Sequence, residues 1–400
     1  NIELLARDLE QKYGTTIDTF EWVSAVFDIN AFLDRVEDYW ERGAGAKPLG
    51  MDVLFHNLAV FGYQAADPAI TAKECKDRFK KSIDNVLMPI TSASRERAAY
   101  RTLNPNFDPL LDAARCQLSA AKEIVARDGK IENLILALGA NNALGALVHL
   151  EIKETGQNSP GTFSKYNLWS ASAFRQDFTA LAREVDAIMS GFSGHVFVAN
   201  VPHVTIVPLA NGVMKNGAAQ LPKGEKYFDY YKHFFVRDSD FSPSLHKHLT
   251  GAQAKAIDER IDEFNVVIQE EVAKRPNWHL VDLCSMLDRL ATRRNQGKPS
   301  YPLPGPIADL GTRFFEVDPA TKKIKRETGF FSLDGVHPSY CGYAVVAQEF
   351  VNVMRPHMKG GMKDVDFAQI RAHDTLVSNP PRTLDDIVSM LGVLEKYFYF

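Results

Sequence analysis

Residues 131–142 read Ile-Glu-Asn-Leu-Ile-Leu-Ala-Leu-Gly-Ala-Asn-Asn, and this stretch decides the fold class. The apolar run that ends at Leu138 is typical of a β-strand covered on both faces, because an exposed face would bring alternating polar residues. The run passes directly into Gly139, and glycine and asparagine favour a turn there. We therefore predict a buried strand over 131–138 that ends in a tight polar turn.

Three other apolar runs have the same character, and long stretches with helical spacing of apolar residues separate them. Strands that alternate with helices are typical of βαβ units, in which the strands are parallel and helices cover the sheet. The predicted fold class is therefore α/β with a parallel sheet, which binds ligands at the carboxyl ends of its strands. The other predicted strands are 51–61, 195–201 and 278–283; the predicted helices include 1–13, 18–42, 109–127, 170–190, 250–274 with Thr250 as N-cap, and 340–354.

The composition excludes several classes of protein. The chain has 400 residues, of which 45% are hydrophobic and 24% charged, and its net charge is -4. This is a globular composition without the basic excess of a nucleic-acid-binding protein. No apolar run reaches the roughly 18 residues of a membrane-spanning helix, so no membrane span is expected. The cysteines form no Cys-x-x-Cys pair, which argues against a zinc or thioredoxin-type motif and favours reduced thiols over one or two disulfides; they are Cys75, Cys116, Cys284 and Cys341.

The segment Asp334-Gly-Val-His337, just before the last long core helix, carries the first candidate for chemistry. A hydrolytic serine needs a basic imidazole, and the imidazole needs a carboxylate that fixes its tautomer. The spacing allows one loop to supply both groups. The structural alternative is that Asp334 caps the helix and His337 is simply exposed.

Two further candidates lie where predicted strands end. Gly139-Ala-Asn141-Asn142 offers an asparagine amide that can donate a hydrogen bond to an oxyanion. Gly62 follows the apolar run 51–61, and a glycine there lets backbone N–H groups face a ligand. Each segment has a structural alternative, since both compositions also make ordinary turns.

In this order the motifs resemble those of the SGNH, or GDSL-type, hydrolases, a family of esterases and lipases with a flavodoxin-like three-layer αβα fold. The resemblance implies that His337 is the base and Asp334 its orienting partner. It also implies that the Asn141 amide and the Gly62 N–H form the oxyanion hole. The resemblance implies a reaction that needs neither a cofactor nor a metal ion. It implies a domain over 1–358, with insertions near 208–250 and 295–330, and a helical extension over 359–400.

The sequence departs from the family pattern at two points. Asn142 stands where the family usually has aspartate, which we expect to tune the site because this position is not the oxyanion donor. No Gly-Asp-Ser nucleophile motif occurs in the chain, and we expect it to precede Asn1. Ser193 fails as a substitute because a nucleophile elbow follows a strand, whereas this serine precedes one. Ser332 also fails as a substitute, because it lies in the same loop as the Asp–His pair.

Other histidines have less specific patterns. His56 lies within the predicted strand 51–61 and is expected to be a satisfied core or pocket-edge residue. His203 follows a strand end, where it either lines the pocket or is structural. His246 and His248 have a metal-like spacing, but no cluster of carboxylates or cysteines accompanies them in sequence, so we predict a surface loop.

The predicted function is serine-dependent hydrolysis of a small-molecule or lipid-like ester, without a nucleic-acid partner. A carbohydrate acetyl-esterase of the same family and a non-catalytic ligand-binding module are the alternatives. The two insertions, predicted to be irregular, either form a lid over the site or pack as ordinary loops. The extension over 359–400 either packs on the domain or forms a homo-oligomer. The sequence leaves the cellular compartment open.

Overall fold

The computed structural model describes residues 56–83, 94–104, 110–218, 221–234, 236–312, 315–317, 324–326, 329–332, 334–374 and 377. Its centre is a parallel three-stranded sheet in the order β1-β2-β6, formed by β1 (Asn133–Leu136), β2 (His195–Ala199) and β6 (Trp278–Val281). Leu136 pairs with Val198, and Val198 with Leu280. The prediction of an α/β protein with a parallel sheet is thus confirmed.

Helices pack against this sheet and against one another. α5 packs along α6, α6 also packs against β6, and α8 packs against both β2 and β6. After its first residue β2 is buried at every position, so both of its faces are covered. The helices are α1 (Ala72–Ile83), α2 (Ser94–Leu103), α3 (Gln117–Asp128), α4 (Asn141–Val148), α5 (Ala171–Ile188), α6 (Gly251–Ala273), α7 (Leu283–Leu290), α8 (Tyr340–Met354) and α9 (Phe367–His373).

Most of the predicted core elements are confirmed, with shorter bounds. Strands over 131–138, 195–201 and 278–283 correspond to β1, β2 and β6. Thr250 caps α6 as predicted: its Oγ1 accepts the Gln253 N–H at 3.3 Å, and the Gln253 side chain accepts the Thr250 N–H at 2.8 Å. The helix predicted over 109–127 begins only at Gln117. The helices predicted over 1–13 and 18–42 lie outside the described residues.

The strand predicted over 51–61 is wrong for 56–61, which form no strand; 51–55 lie outside the described residues. The Asn57 side chain accepts the Ala59 N–H at 3.0 Å, and Gln117 donates to the Leu58 carbonyl. Both bonds use backbone groups that a strand ladder would need. His56 and Asn57 are exposed, so the stretch is not a buried strand.

Both predicted irregular insertions contain β-structure. β3 (Ala210–Val213), β4 (Tyr230–His233) and β5 (Leu249–Thr250) form an antiparallel sheet, and β7 (Phe315–Val317) pairs with β8 (Ile324–Arg326). These strands have two to four residues, too few for an alternating pattern to emerge from the sequence. The expectation of structureless segments over 208–250 and 295–330 is therefore corrected.

Two clusters of buried apolar residues stabilise the described part of the chain. The large one lies between the parallel sheet and its helices, where Phe174 stacks on Phe264 with ring centroids 4.2 Å apart. The small one joins the segment after Gly62 to α1, α2 and α3 and includes Tyr63, Ile70 and Leu103. All four cysteines are free thiols. Among the described helices, none has both the length and the hydropathy to cross a membrane.

Candidate functional site

Asp334 and His337 form a hydrogen-bonded pair, as their spacing predicts. Nδ1 of His337 lies 2.6 Å from Oδ2 of Asp334. Oδ1 of Asp334 accepts the backbone N–H groups of Val336 and His337, each at 2.9 Å. Asp334 does not cap α8, because Ser339 takes that position and its Oγ accepts the Gly342 N–H at 3.0 Å. The helix-cap alternative for Asp334 is thus excluded.

The loop that carries the pair is closed by backbone bonds. The Ser332 N–H donates to the His337 carbonyl at 2.7 Å, and Phe331 and Pro338 form an antiparallel bridge. Gly335 has φ +67°, and a Cβ there would lie 2.9 Å from the Leu209 nitrogen. Leu209 in turn donates to the Gly335 carbonyl at 2.9 Å. The loop is therefore fixed against the segment that follows β2.

The Asp334 carboxylate stays ionised. Burial raises its pKa, but the bonds from His337 and from the two backbone N–H groups outweigh that effect and hold the pKa below its usual range. An ionised carboxylate at Nδ1 keeps the proton on that nitrogen, so the lone pair of the neutral ring belongs to Nε2. The imidazole side chain is 57% exposed. This tautomer is the one that a general base uses toward a hydroxyl nucleophile.

Asn141 lies beside the segment that follows Gly62. Its side-chain Nδ2 donates to the Tyr63 carbonyl at 3.0 Å, and Gln64 Nε2 donates to the Asn141 carbonyl at 3.2 Å. A side-chain amide carries two N–H hydrogens, so the Tyr63 bond uses half of its donor capacity. Gly62 has φ +74°, a conformation that favours glycine. Gly62 and Asn141 are thus neighbours, although they are 79 positions apart in the sequence.

Asn142 has a structural role that the sequence did not reveal. It is fully buried, and its Oδ1 accepts the Ala65 N–H at 3.0 Å. Its carbonyl accepts the Trp169 N–H at 2.9 Å. Asn142 therefore holds the loop after Gly62 against the start of α4, while its buried Nδ2 has no hydrogen-bond partner. Asn142 thereby also fixes the position of its neighbour Asn141.

The structure holds the four predicted site residues as two pairs, each fixed by its own contacts. Gly139 and Val201, which follow β1 and β2, meet so closely that a Cβ on Gly139 would lie 2.7 Å from Val201 Cγ2. The loop of Asp334 and His337 rests on Leu209, farther along the segment after β2. Both pairs therefore lie beside segments that follow the carboxyl ends of the parallel strands.

Tyr343 is a candidate site residue that the sequence analysis does not identify. It lies in the first turn of α8 and is 53% exposed. Burial of its hydroxyl and the negative charge of Asp334 together raise the pKa of the phenol. The signal that could have found it is helical spacing, because Tyr340 and Tyr343 share a face and both follow the Asp–His segment.

His203 and His56 have different environments. His203 does not line an open pocket: it is buried, its Nδ1 lies 2.9 Å from Asp288 and its Nε2 lies 3.1 Å from Asp262. Burial lowers the pKa of His203, but the Asp288 bond and nearby negative groups outweigh it and raise the pKa to about 11. His56 is 75% exposed and bonds to Asp128, so of the two predicted environments, core or pocket edge, the core is wrong.

No family model, curated protein or solved structure matches this chain.

Proposed function

We propose that this protein hydrolyses carboxylic esters by a serine-dependent mechanism, with His337 as the general base and Asp334 as its orienting partner. The observation that carries the proposal is the set of three hydrogen bonds to the Asp334 carboxylate, from His337 Nδ1 and from two backbone N–H groups. A carboxylate fixed in this way sets the ring orientation and tautomer and stabilises the imidazolium that forms during the reaction.

The proposed steps balance without a cofactor. The serine hydroxyl transfers its proton to His337 Nε2 while its oxygen attacks the acyl carbonyl carbon, and the carbonyl oxygen becomes an oxyanion. Collapse of this intermediate breaks the bond to the alcohol, which takes the proton from His337. Water then repeats the sequence and releases the acid. The second N–H of the Asn141 amide and the Gly62 N–H are the proposed oxyanion donors; one such donor contributes roughly 3 kcal/mol.

Strand order supports a flavodoxin-like version of the α/β fold. In that fold the sheet order is 2-1-3-4-5. The described order β1-β2-β6 is compatible with its last three strands, and β1 would then be the third strand, which ends at the Asn141 segment. The first strand of the flavodoxin-like order would pair with the outer edge of β1. Among the described residues β1 is an edge strand, and Ile135 on it is 55% exposed.

The aromatic rings of Tyr340 and Tyr343 are the proposed contacts for the substrate. Both are about half exposed on α8, next to the Asp–His loop. Such rings pack equally well on an acyl chain and on the apolar face of a sugar. The insertion 208–250 touches the same loop through Leu209. Turnover of short acetyl esters against long acyl esters distinguishes an acetyl-esterase from a lipase-like enzyme.

The decisive variant is His337→Ala in the full-length protein. We expect turnover of a chromogenic ester to fall by roughly 10⁴-fold, because the base is lost, with little change in the thermal midpoint since the ring is half exposed. His373→Ala is the matched control, because His373 is an exposed histidine that, within the part of the chain that the structure describes, bonds only to the Gln369 carbonyl. Unchanged activity in His337→Ala would refute the assignment.

A fluorophosphonate probe identifies the nucleophile. We expect the active protein to be labelled at one serine, which peptide mapping then locates, and labelling to weaken in His337→Ala because the hydroxyl is no longer activated. A folded full-length protein that takes up no probe and turns over no ester would be a non-catalytic binding module, and the proposal would fail.

A further inference from the structure

Three histidines converge at the amino ends of the parallel strands. His195 is the first residue of β2, His279 is the second residue of β6, and His357 ends the short 3₁₀ helix Arg355–His357 that follows α8. One ring nitrogen from each lies within 4.8 Å of those from the other two. Nδ1 of His195 lies 2.9 Å from Nε2 of His279.

Backbone and ring contacts hold the three residues next to one another. His195 donates its N–H to the Glu132 carbonyl at 2.9 Å, which ties it to the start of β1. His279 pairs in register with Phe197 on β2. The His357 ring stacks on the His279 ring with centroids 3.8 Å apart, and Phe197 packs on His279 at 5.2 Å. All three histidines are half-buried, so the cluster borders solvent.

The cluster has ring nitrogens to offer a ligand. Three imidazoles carry six ring nitrogens, and among the described residues the bond between His195 and His279 uses two of them. Among the described residues, none of the salt bridges involves any of the three rings.

We propose that His195, His279 and His357 form a binding site for a divalent transition-metal ion of the zinc type. Three histidines and one solvent position make a complete tetrahedral zinc shell. With Zn–N bonds of 2.0–2.1 Å, tetrahedral geometry requires ligand nitrogens ~3.3 Å apart. To admit the ion, the 2.9 Å pair opens by about 0.4 Å. The His357 ring, whose nitrogen lies within 4.8 Å of the other two, turns out of its stack on His279 so that its lone pair faces the ion.

The ion binds far from the proposed ester site in the fold. The cluster lies at the amino ends of the strands, whereas Asn141 and the Asp334 loop adjoin the segments that leave the carboxyl ends. A bound ion links β2, β6 and the end of α8 through one centre, and so stabilises the folded chain. The metal site and the ester hydrolase are therefore independent proposals.

The test uses full-length protein without a polyhistidine tag, freed of metal by a chelator. Titration calorimetry with Zn²⁺ is expected to show one site, and bound Co²⁺ to give the visible absorption of a four-coordinate ion. His357→Gln is expected to weaken binding by roughly 100-fold or more, because loss of a ligand costs at least as much as loss of its supporting partner. His373→Gln is the control, since this exposed histidine lies elsewhere and should bind as the parent does.

Thermal midpoints complete the test. Zn²⁺ is expected to raise the midpoint of the parent and of His373→Gln but not of His357→Gln; His195→Gln provides a second variant should His357→Gln be unfolded. Equal binding by His357→Gln and the parent would overturn the proposal, as would the absence of a zinc site in the parent. A near-ultraviolet sulfur-to-cobalt band would also overturn it, because it would assign the ion to a cysteine, such as Cys284, which lies with His203 and Asp288 in another cluster.

Discussion

Asp67 is a carboxyl group whose environment disfavours its charge. It lies in the turn after Gly62 and is 1% exposed. Its Oδ2 accepts the Gln64 N–H at 2.9 Å, while its Oδ1 is buried without a partner. Burial raises the pKa to about 6, against the lowering effects of the Gln64 bond and of Arg95. The turn that follows Gly62 therefore holds a carboxyl group, that of Asp67, which titrates in the mildly acidic range.

We expect Asp67→Asn to remove a pH dependence of stability. Since the folded pKa is raised above the unfolded value of 3.8, the native protein is favoured below pH 3.8 and loses that advantage as the pH rises to about 6. The shift corresponds to ~3 kcal/mol. Urea unfolding from pH 3.5 to 7 should therefore show the variant gaining ~2–3 kcal/mol relative to the parent. A difference between the two proteins that does not change with pH would contradict this expectation.

At this scale the sequence predicts a residue's environment only when its partners are close in the chain. Asp334 and His337 are three positions apart, and their spacing alone indicates the pair. His195 and His279 are 84 positions apart, and their contact exists only because β2 and β6 are neighbours in the sheet. Asn142 and Ala65 are 77 positions apart, so the anchoring role of Asn142 was equally hidden.

At the scale of elements, Gly139 controls how the ends of β1 and β2 meet. Its φ is +125°, and a Cβ would lie 2.7 Å from Val201 Cγ2 and 3.2 Å from Phe174 Cζ. Gly139→Ala therefore combines backbone strain with a clash. Gly129→Ala is the matched control: Gly129 has φ +83° at the end of α3, but a Cβ there meets nothing within 4 Å.

We expect Gly129→Ala to lower the free energy of unfolding by about 1 kcal/mol, from backbone strain alone. Gly139→Ala should lose ~2–4 kcal/mol, because the clash adds to that strain. It should also reduce ester turnover, since Asn141 starts the helix that follows. Equal losses in urea unfolding of the two variants would show that the packing between the strand ends has no such role.

Elements with strong periodicity were predictable, and short ones were not. The strands of the parallel sheet and the helices α5, α6 and α8 each extend over a clear apolar pattern. The antiparallel sheet β3-β4-β5 was missed because its strands are short and are defined by contacts with one another. The run 51–61 was misread over 56–61 because an apolar stretch does not reveal that Asn57 and Gln117 bind its backbone.

At the scale of the whole molecule, one buried ion pair joins three distant segments. Asp258 on α6 is fully buried, and its Oδ2 accepts bonds from Arg294 at 2.6 Å and from the Thr205 hydroxyl at 2.5 Å. Arg294 belongs to the segment after α7 and Thr205 to the segment after β2. Arg294 also reaches Asp288, which holds His203. The helix α6 and the segments after β2 and α7 therefore share one polar network.

Arg294→Met should lower the free energy of unfolding by ~3–5 kcal/mol, because Asp258 keeps a buried charge without its partner. Adding Asp258→Leu should recover part of that loss, since the unpaired charge is gone. Arg175→Met is the control: its pair with Glu270 is exposed on both sides and should contribute less than about 1 kcal/mol. Chemical unfolding of the three variants measures these values. If Arg294→Met cost no more than Arg175→Met, the network would behave as a surface pair, and the junction between these segments would depend on apolar packing instead.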